Sequence, residues 1–148
     1  MRLKVPPVLL LVLLAALMWA MAAVVPVGAL PASAGLAVLL AVAGAAAMAA
    51  GAWAFVRVQT TLDPRAPEQS HCIVSDGIYR FSRNPMYLGM ALILAAWAVC
   101  LAHAAAWVGV AGFVLYLNRF QIVPEERALE QKFGEAYRRY CRTTRRWL

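Results

Sequence analysis

Three long stretches without a formal charge constrain this chain more than any other feature: Val5 to Val27, Gly35 to Val56 and Met86 to Leu117. A helix needs roughly 20 predominantly apolar residues to cross a bilayer, and it must satisfy its own backbone polar groups there. The first two runs meet that length and predict one crossing each. The third is too long for one crossing and reads as two short helices turning near Ala102-His103-Ala104. Short arms have to be met by tilt or by local thinning of the bilayer. The expected fold is an all-α integral membrane protein of four transmembrane helices, the last two a short hairpin. With 148 residues, 64% of them hydrophobic, the chain is one domain. Its two-span N-terminal part covers 1–57, and the polar elements lie in 58–148.

Charge predicts the orientation. Under the four-span reading, Arg2 and Lys4 precede the first span, and Arg57, Arg65, Arg80 and Arg83 lie between the second and third. The remaining basic residues, Arg119 to Arg146, follow the fourth. All 14 basic and all seven acidic residues thus fall on one side, and the other side keeps two uncharged turns around Gly28–Pro31 and His103. The positive-inside rule makes that charged side, with both termini, cytoplasmic. The net charge of +7 then points to anionic lipid headgroups as partners, and no nucleic acid is expected.

Arg2, Lys4, the following apolar run and Ala20-Met21-Ala22 also have the form of a signal peptide with a cleavage site. The apolar run continues well past that site, which favours a retained span. Cys72, Cys100 and Cys141 are odd in number and lack C-x-x-C spacing, so no disulfide is expected. His71 and His103 fall on opposite membrane faces, and His71 with Cys72 offers too few ligands for a structural zinc site. No metal is expected.

Two polar elements stand out against this background. The first is the block from His71 to Gly89, where Gly77 permits a tight turn, Pro85 opens the third span, and Tyr79 and Tyr87 sit at headgroup depth. The second begins at Pro124-Glu125-Glu126, with a proline suited to a first helical turn and carboxylates at the positive end of the helix dipole. Beyond it, Leu129, Phe133, Ala136, Tyr137 and Tyr140 recur at intervals of three and four. They predict a basic amphipathic helix lying in the interface, interrupted or bent at Gly134. An ordinary interfacial belt of tyrosines and snorkelling arginines accounts for many of these residues. It leaves the adjacent Glu125-Glu126 pair unexplained.

Gly77-Ile78-Tyr79 followed by Arg83-Asn84-Pro85-Met86-Tyr87-Leu88-Gly89 resembles the G-x-Y…R-H/N-P-x-Y-x-G motif of the isoprenylcysteine carboxyl methyltransferase and phospholipid methyltransferase group. Glu125-Glu126-Arg127, Leu129, Phe133-Gly134 and Tyr137 resemble that group's E-E-x-x-L…F-G-x-x-Y signature, and His71-Cys72-Ile73-Val74 its H-x-L-V. The likeness runs from His71 to Trp147. It implies an S-adenosylmethionine-dependent methyltransferase acting at the cytosolic face on a lipophilic or lipidated acceptor that arrives through the bilayer. Carried over by residue, it implies a cofactor site lined by His71, Cys72, Ile73, Val74, Gly77, Tyr79, Asn84, Pro85, Met86, Tyr87 and Glu125. Arg83, Asn84, Tyr87 and Glu126 are the implied catalytic residues, and Arg119 and Gln121 the implied acceptor contacts.

The chain departs from the carboxyl methyltransferases at two of these positions. Asn84 stands where they often carry His, and Gln121 aligns with their substrate-facing arginine, with Arg119 offset by two. A carboxylate acceptor needs no general base, whereas an amine or thiol has a proton to lose, for which Glu126, Tyr87 and His71 are the nearby candidates. Two readings of other classes stay open on sequence alone: an NADPH-dependent membrane reductase of the sterol-reductase type, and a non-catalytic membrane scaffold.

Overall fold

The computed structural model describes residues 5–25, 28, 30–57 and 73–148. Six α-helices account for most of them: α1 Pro7–Val24, α2 Ala34–Arg57, α3 Pro85–Leu101, α4 Ala106–Leu117, α5 Val123–Phe133 and α6 Glu135–Thr143. A 3₁₀ turn, Gly77–Arg80, precedes α3, and a π-turn, Asn118–Ile122, joins α4 to α5. No strand occurs among the described residues. The protein is an all-α integral membrane protein. Helices Pro7–Val24, Ala34–Arg57 and the continuous run Ala106–Phe133 are long and apolar enough to cross a bilayer, and α3, with 17 residues, is the shorter apolar one.

Prolines start two of these helices where a missing N–H costs nothing, Pro7 in α1 and Pro85 in α3. The hairpin turns where expected, with α3 ending at Ala102 in the left-handed region at φ 49°. α2 packs mainly on α3, and α1 on α4. Lipid supplies little hydrophobic drive for helix association, so close approach of small residues must hold these pairs. At the α2–α3 crossing Gly44 faces Gly89 so closely that a Cβ on Gly89 would lie 2.5 Å from the Gly44 carbonyl oxygen. Farther along α2, Gly51 leaves the space that Met86 fills. The side chains of α1 and α2 that remain uncovered, among them Val8, Leu13, Leu17, Leu39 and Val42, form the lipid-facing surface.

The two uncharged turns on the far side are clasped together. Leu30 N–H donates to the Ala102 carbonyl at 2.6 Å and Ala104 N–H to the Gly28 carbonyl at 2.7 Å. His103 is buried and uses both ring nitrogens: Nδ1 accepts from Ala105 N–H at 3.2 Å, which assigns the proton to Nε2, 3.1 Å from the Val25 carbonyl. His103 is thus a structural clamp. Replacing it with alanine strands buried backbone groups and is expected to cost about 1–3 kcal/mol. Thermal unfolding in detergent should show the loss.

The C-terminal half differs from the expectation of a separate helix starting at Pro124. A proline has no N–H to donate, and its ring crowds the carbonyl four residues back. The chain meets this by widening into the π-turn, with Val123 N–H bonding the Asn118 carbonyl, and α5 continues the axis of α4. Gly134 then interrupts the helix as expected, adopting φ 54°, and separates α5 from α6. Of the predicted apolar stripe, Tyr137 is buried and Leu129, Phe133 and Tyr140 are partly covered, while Ala136 is exposed.

Candidate functional site

The 3₁₀ turn, the first turn of α3, the π-turn and the start of α5 meet at the charged end of the bundle. Gly77 opens the 3₁₀ turn at φ 59°, and Tyr79 swings inward to lie buried, edge-on to Phe55 of α2 with ring centroids 5.4 Å apart. Tyr87, on the first turn of α3, is buried and donates its hydroxyl proton to Glu125 Oε2 at 3.2 Å. Gln121 approaches the same hydroxyl from the π-turn. It is 2% exposed, yet among the described residues its Nε2 has no hydrogen-bond partner. Burial pushes the Tyr79 hydroxyl well above its ordinary ionisation range, and Glu125 and Tyr140 add to the effect. Tyr79 therefore stays a neutral phenol, able to donate but not to act as a phenolate base.

The two adjacent glutamates live in different surroundings. Glu126 is held by two arginines, with Arg83 Nη2 at 3.2 Å and Arg146 reaching it through Nε at 3.1 Å and Nη2 at 2.6 Å. Its hydrogen bond to Arg146 pushes the Arg146 guanidinium still further up. Glu125 is partly buried, and among the described residues its partner is the Tyr87 phenol, with no cation within ion-pair distance. A carboxylate withdrawn from water without a cation is costly. That cost marks Glu125, and not Glu126, as the group with unused capacity for a positively charged ligand.

The other expected site residues divide between these two clusters. Arg83 also donates to Cys141 Sγ of α6, and Asn84 gives its side-chain N–H to the Arg146 carbonyl at 3.0 Å, while its backbone N–H bonds Ser82 Oγ. Arg83, Asn84 and Glu126 are therefore tied into an internal lattice. Pro85 and Met86 lie against α2 at Gly51. Ile73 and Val74 are partly buried in the segment before the 3₁₀ turn, and His71 and Cys72 lie outside the described residues. Arg119 and Gln121, both expected as acceptor contacts, part company: Gln121 is buried beside Tyr87 and Arg119 is exposed. Positions two apart on a helix point to nearly opposite faces. Among the described residues no group of three or more His, Cys, Asp or Glu is placed to hold a metal ion.

Sequence reasoning missed the C-terminal tail. Arg83 N–H donates to the Arg145 carbonyl at 2.9 Å, Tyr140 hydroxyl to the Tyr79 carbonyl at 2.8 Å, and Trp147 Nε1 to Asn118 Oδ1 at 3.1 Å. A tryptophan and paired arginines in a short tail were the available signal, but they read equally well as interfacial anchors.

Residues 32–136 match the phospholipid methyltransferase family, a stretch that contains the 3₁₀ turn, the hairpin, the π-turn and both glutamates. The chain belongs to the phospholipid methyltransferase family. It is accordingly a membrane methyltransferase by family. An uncharacterized protein of Haemophilus influenzae is 54% identical over 63 residues, covering 43% of this chain and all of that protein. No solved structure matches the chain. Within the family match, Tyr79, Tyr87, Gln121 and Glu125 gather in one largely buried polar cluster, and Arg83, Asn84 and Glu126 belong to a second one tied to the tail.

Proposed function

We propose that this protein transfers a methyl group from S-adenosylmethionine to a lipophilic or membrane-associated acceptor at the cytoplasmic membrane face, with both termini on that side. The observation that carries the reading is Glu125, a partly buried carboxylate partnered by a phenol and by no cation among the described residues. It sits at the end of a family match whose members are methyltransferases. The donor set fits the ligand: a carboxylate and the faces of Tyr79 and Tyr87 favour a cationic sulfonium. S-Adenosylmethionine, when bound, supplies a methyl group on a sulfur that leaves as a neutral thioether, so the acceptor's lone pair forms the new bond to carbon as the carbon–sulfur bond breaks.

The protein's contribution is then alignment and a dry site. Glu125 holds the positive charge, Tyr87 fixes the Glu125 carboxylate by its 3.2 Å hydrogen bond, and Tyr79 closes the aromatic wall. Gln121 Nε2, which has no hydrogen-bond partner among the described residues, is available to an oxygen of the acceptor. Ile73, Val74 and Gly77, in and before the 3₁₀ turn, and Asn84, Pro85 and Met86, at the start of α3, would border the cofactor. Arg83 and Glu126 act in this reading as braces, and Arg119 as a contact for lipid headgroups.

Thermal unfolding in detergent with S-adenosylmethionine, S-adenosylhomocysteine and NADPH in separate samples tests the reading. Ligand that binds only the folded protein raises its stability, by about 2.7 kcal/mol at 100 times its Kd. Stabilisation by the two adenosyl ligands is expected. A shift with NADPH alone would identify a reductase, and none with any of the three would leave a scaffold.

A further inference from the structure

The tail after α6 lies beyond the residues that the family match covers, 32–136, yet it is stitched to the 3₁₀ turn, to the start of α3 and to the π-turn. Ser82 and Arg145 form a parallel bridge, Thr144 is buried and donates through Oγ1 to the Arg80 carbonyl at 3.4 Å, and Asn84 bonds the Arg146 carbonyl. Trp147 then crosses to the other polar element. Its ring packs on the buried cluster that contains Tyr87, Leu117 and Ile122, and its indole N–H donates to Asn118 Oδ1.

Asn118 is the first residue of the π-turn, and its carbonyl accepts the bond from Val123 N–H that closes that turn. A π-turn inserts the equivalent of an extra residue and sets the rotational register of everything that follows it on the helix. Here that register places Gln121 beside the Tyr87 hydroxyl and Glu125 within reach of it. Pro124 favours the wide turn, and the tail adds a second hold on it; a return to ordinary α-helical pairing would carry Glu125 about 100° around the axis.

We propose that Trp147 is a positioning residue: through its hydrogen bond to Asn118 and its packing on the core, it holds the π-turn in the register that aims Gln121 and Glu125 at Tyr87. The brace itself stands on the geometry, and its effect on ligand binding rests on the function proposed above.

Trp147→Phe keeps a ring in the slot and removes the N–H, and Asn118→Ala removes the acceptor. Hydrogen exchange of the full-length protein in detergent should quicken over residues 118–125 in each variant, with the double variant no worse than either. S-Adenosylmethionine affinity, measured without acceptor, should fall about fivefold in Trp147→Phe, the worth of one hydrogen bond. In a Glu125→Gln background the same change should cost nothing further, because the group it positions is already neutral. Unchanged exchange across 118–125, or an equal loss of affinity in both backgrounds, would overturn the proposal. A wild-type protein that binds no S-adenosylmethionine would sink the methyltransferase reading alone, with the exchange data still deciding the brace.

Discussion

Gly89→Val is expected to separate α2 from α3 and cost more than about 3 kcal/mol, above the usual range for overpacking a core. The reason is what the new side chain meets. The first added carbon would lie 2.5 Å from the Gly44 carbonyl oxygen and 2.6 Å from Met48 Cγ, and a carbon added at Gly44 would lie 2.7 Å from the Gly89 oxygen. A side-chain tip can swing aside, but a helix carbonyl moves only with its helix. The two axes must part, and in lipid little hydrophobic force draws them back. Because Tyr87 lies two residues before Gly89, the displacement also reaches the candidate site. Gly112 supplies the control, since a Cβ there meets nothing within 4 Å. Gly112→Ala should leave unfolding temperature and elution in detergent unchanged or slightly improved, through the better helix propensity of alanine. Gly89→Val should unfold early or elute as aggregate. Equal behaviour of the two variants would mean that the crossing does not depend on close backbone approach.

Most of the fold was legible because membrane helices advertise themselves. The uncharged runs located α1 and α2 to within a few residues, and the hairpin turn fell at His103 as expected. The break at Gly134 was legible for a similar reason, a glycine set in a polar helical pattern. The passage from α4 to α5 was not. Pro124 announces a helix start when only its missing N–H is considered, but a π-turn can absorb the same defect, and sequence periodicity does not separate the two outcomes. That one ambiguity decides which residues after Leu117 face inward. It is why Arg119 and Gln121 had equal claims in the sequence and separate fates in the structure.

The glutamate pair illustrates a second limit. Adjacent carboxylates at the start of a helix are chemically identical in one dimension, and both carried roles in the sequence reading. What distinguishes them is the tail: Arg146, distant in sequence, comes back to join Arg83 on Glu126, and among the described residues no arginine does so for Glu125. Long-range pairing of this kind leaves no local trace. The residues that gather at this end of the bundle could be named from motif and spacing, whereas their division between an arginine-tied cluster and a phenol-tied one required the fold.

Glu125→Gln should separate the two adenosyl ligands. Glutamine keeps the length of the side chain and an oxygen to accept the Tyr87 hydroxyl proton, so packing and the 3.2 Å contact have little reason to change. What disappears is the negative charge. S-Adenosylmethionine carries a sulfonium and S-adenosylhomocysteine a neutral thioether, with the adenosyl and amino acid parts in common. A charge-assisted interaction in a partly dry site is worth about 2 kcal/mol more than its neutral counterpart, or roughly 30-fold in affinity. The methylated ligand should lose about that much, and the demethylated ligand a small fraction of it. Glu126→Gln should behave differently. It removes the counter-charge of Arg83 and Arg146 and loosens the lattice that carries Asn84 and the tail, so unfolding temperature should fall along with affinity for both ligands. Calorimetry of both variants against both ligands, with unfolding curves alongside, gives the four comparisons. If Glu125→Gln weakens the two ligands equally, its carboxylate is holding a group they share, such as the amino acid ammonium, and the sulfonium assignment fails. If it weakens neither, Glu125 does not face the cofactor at all.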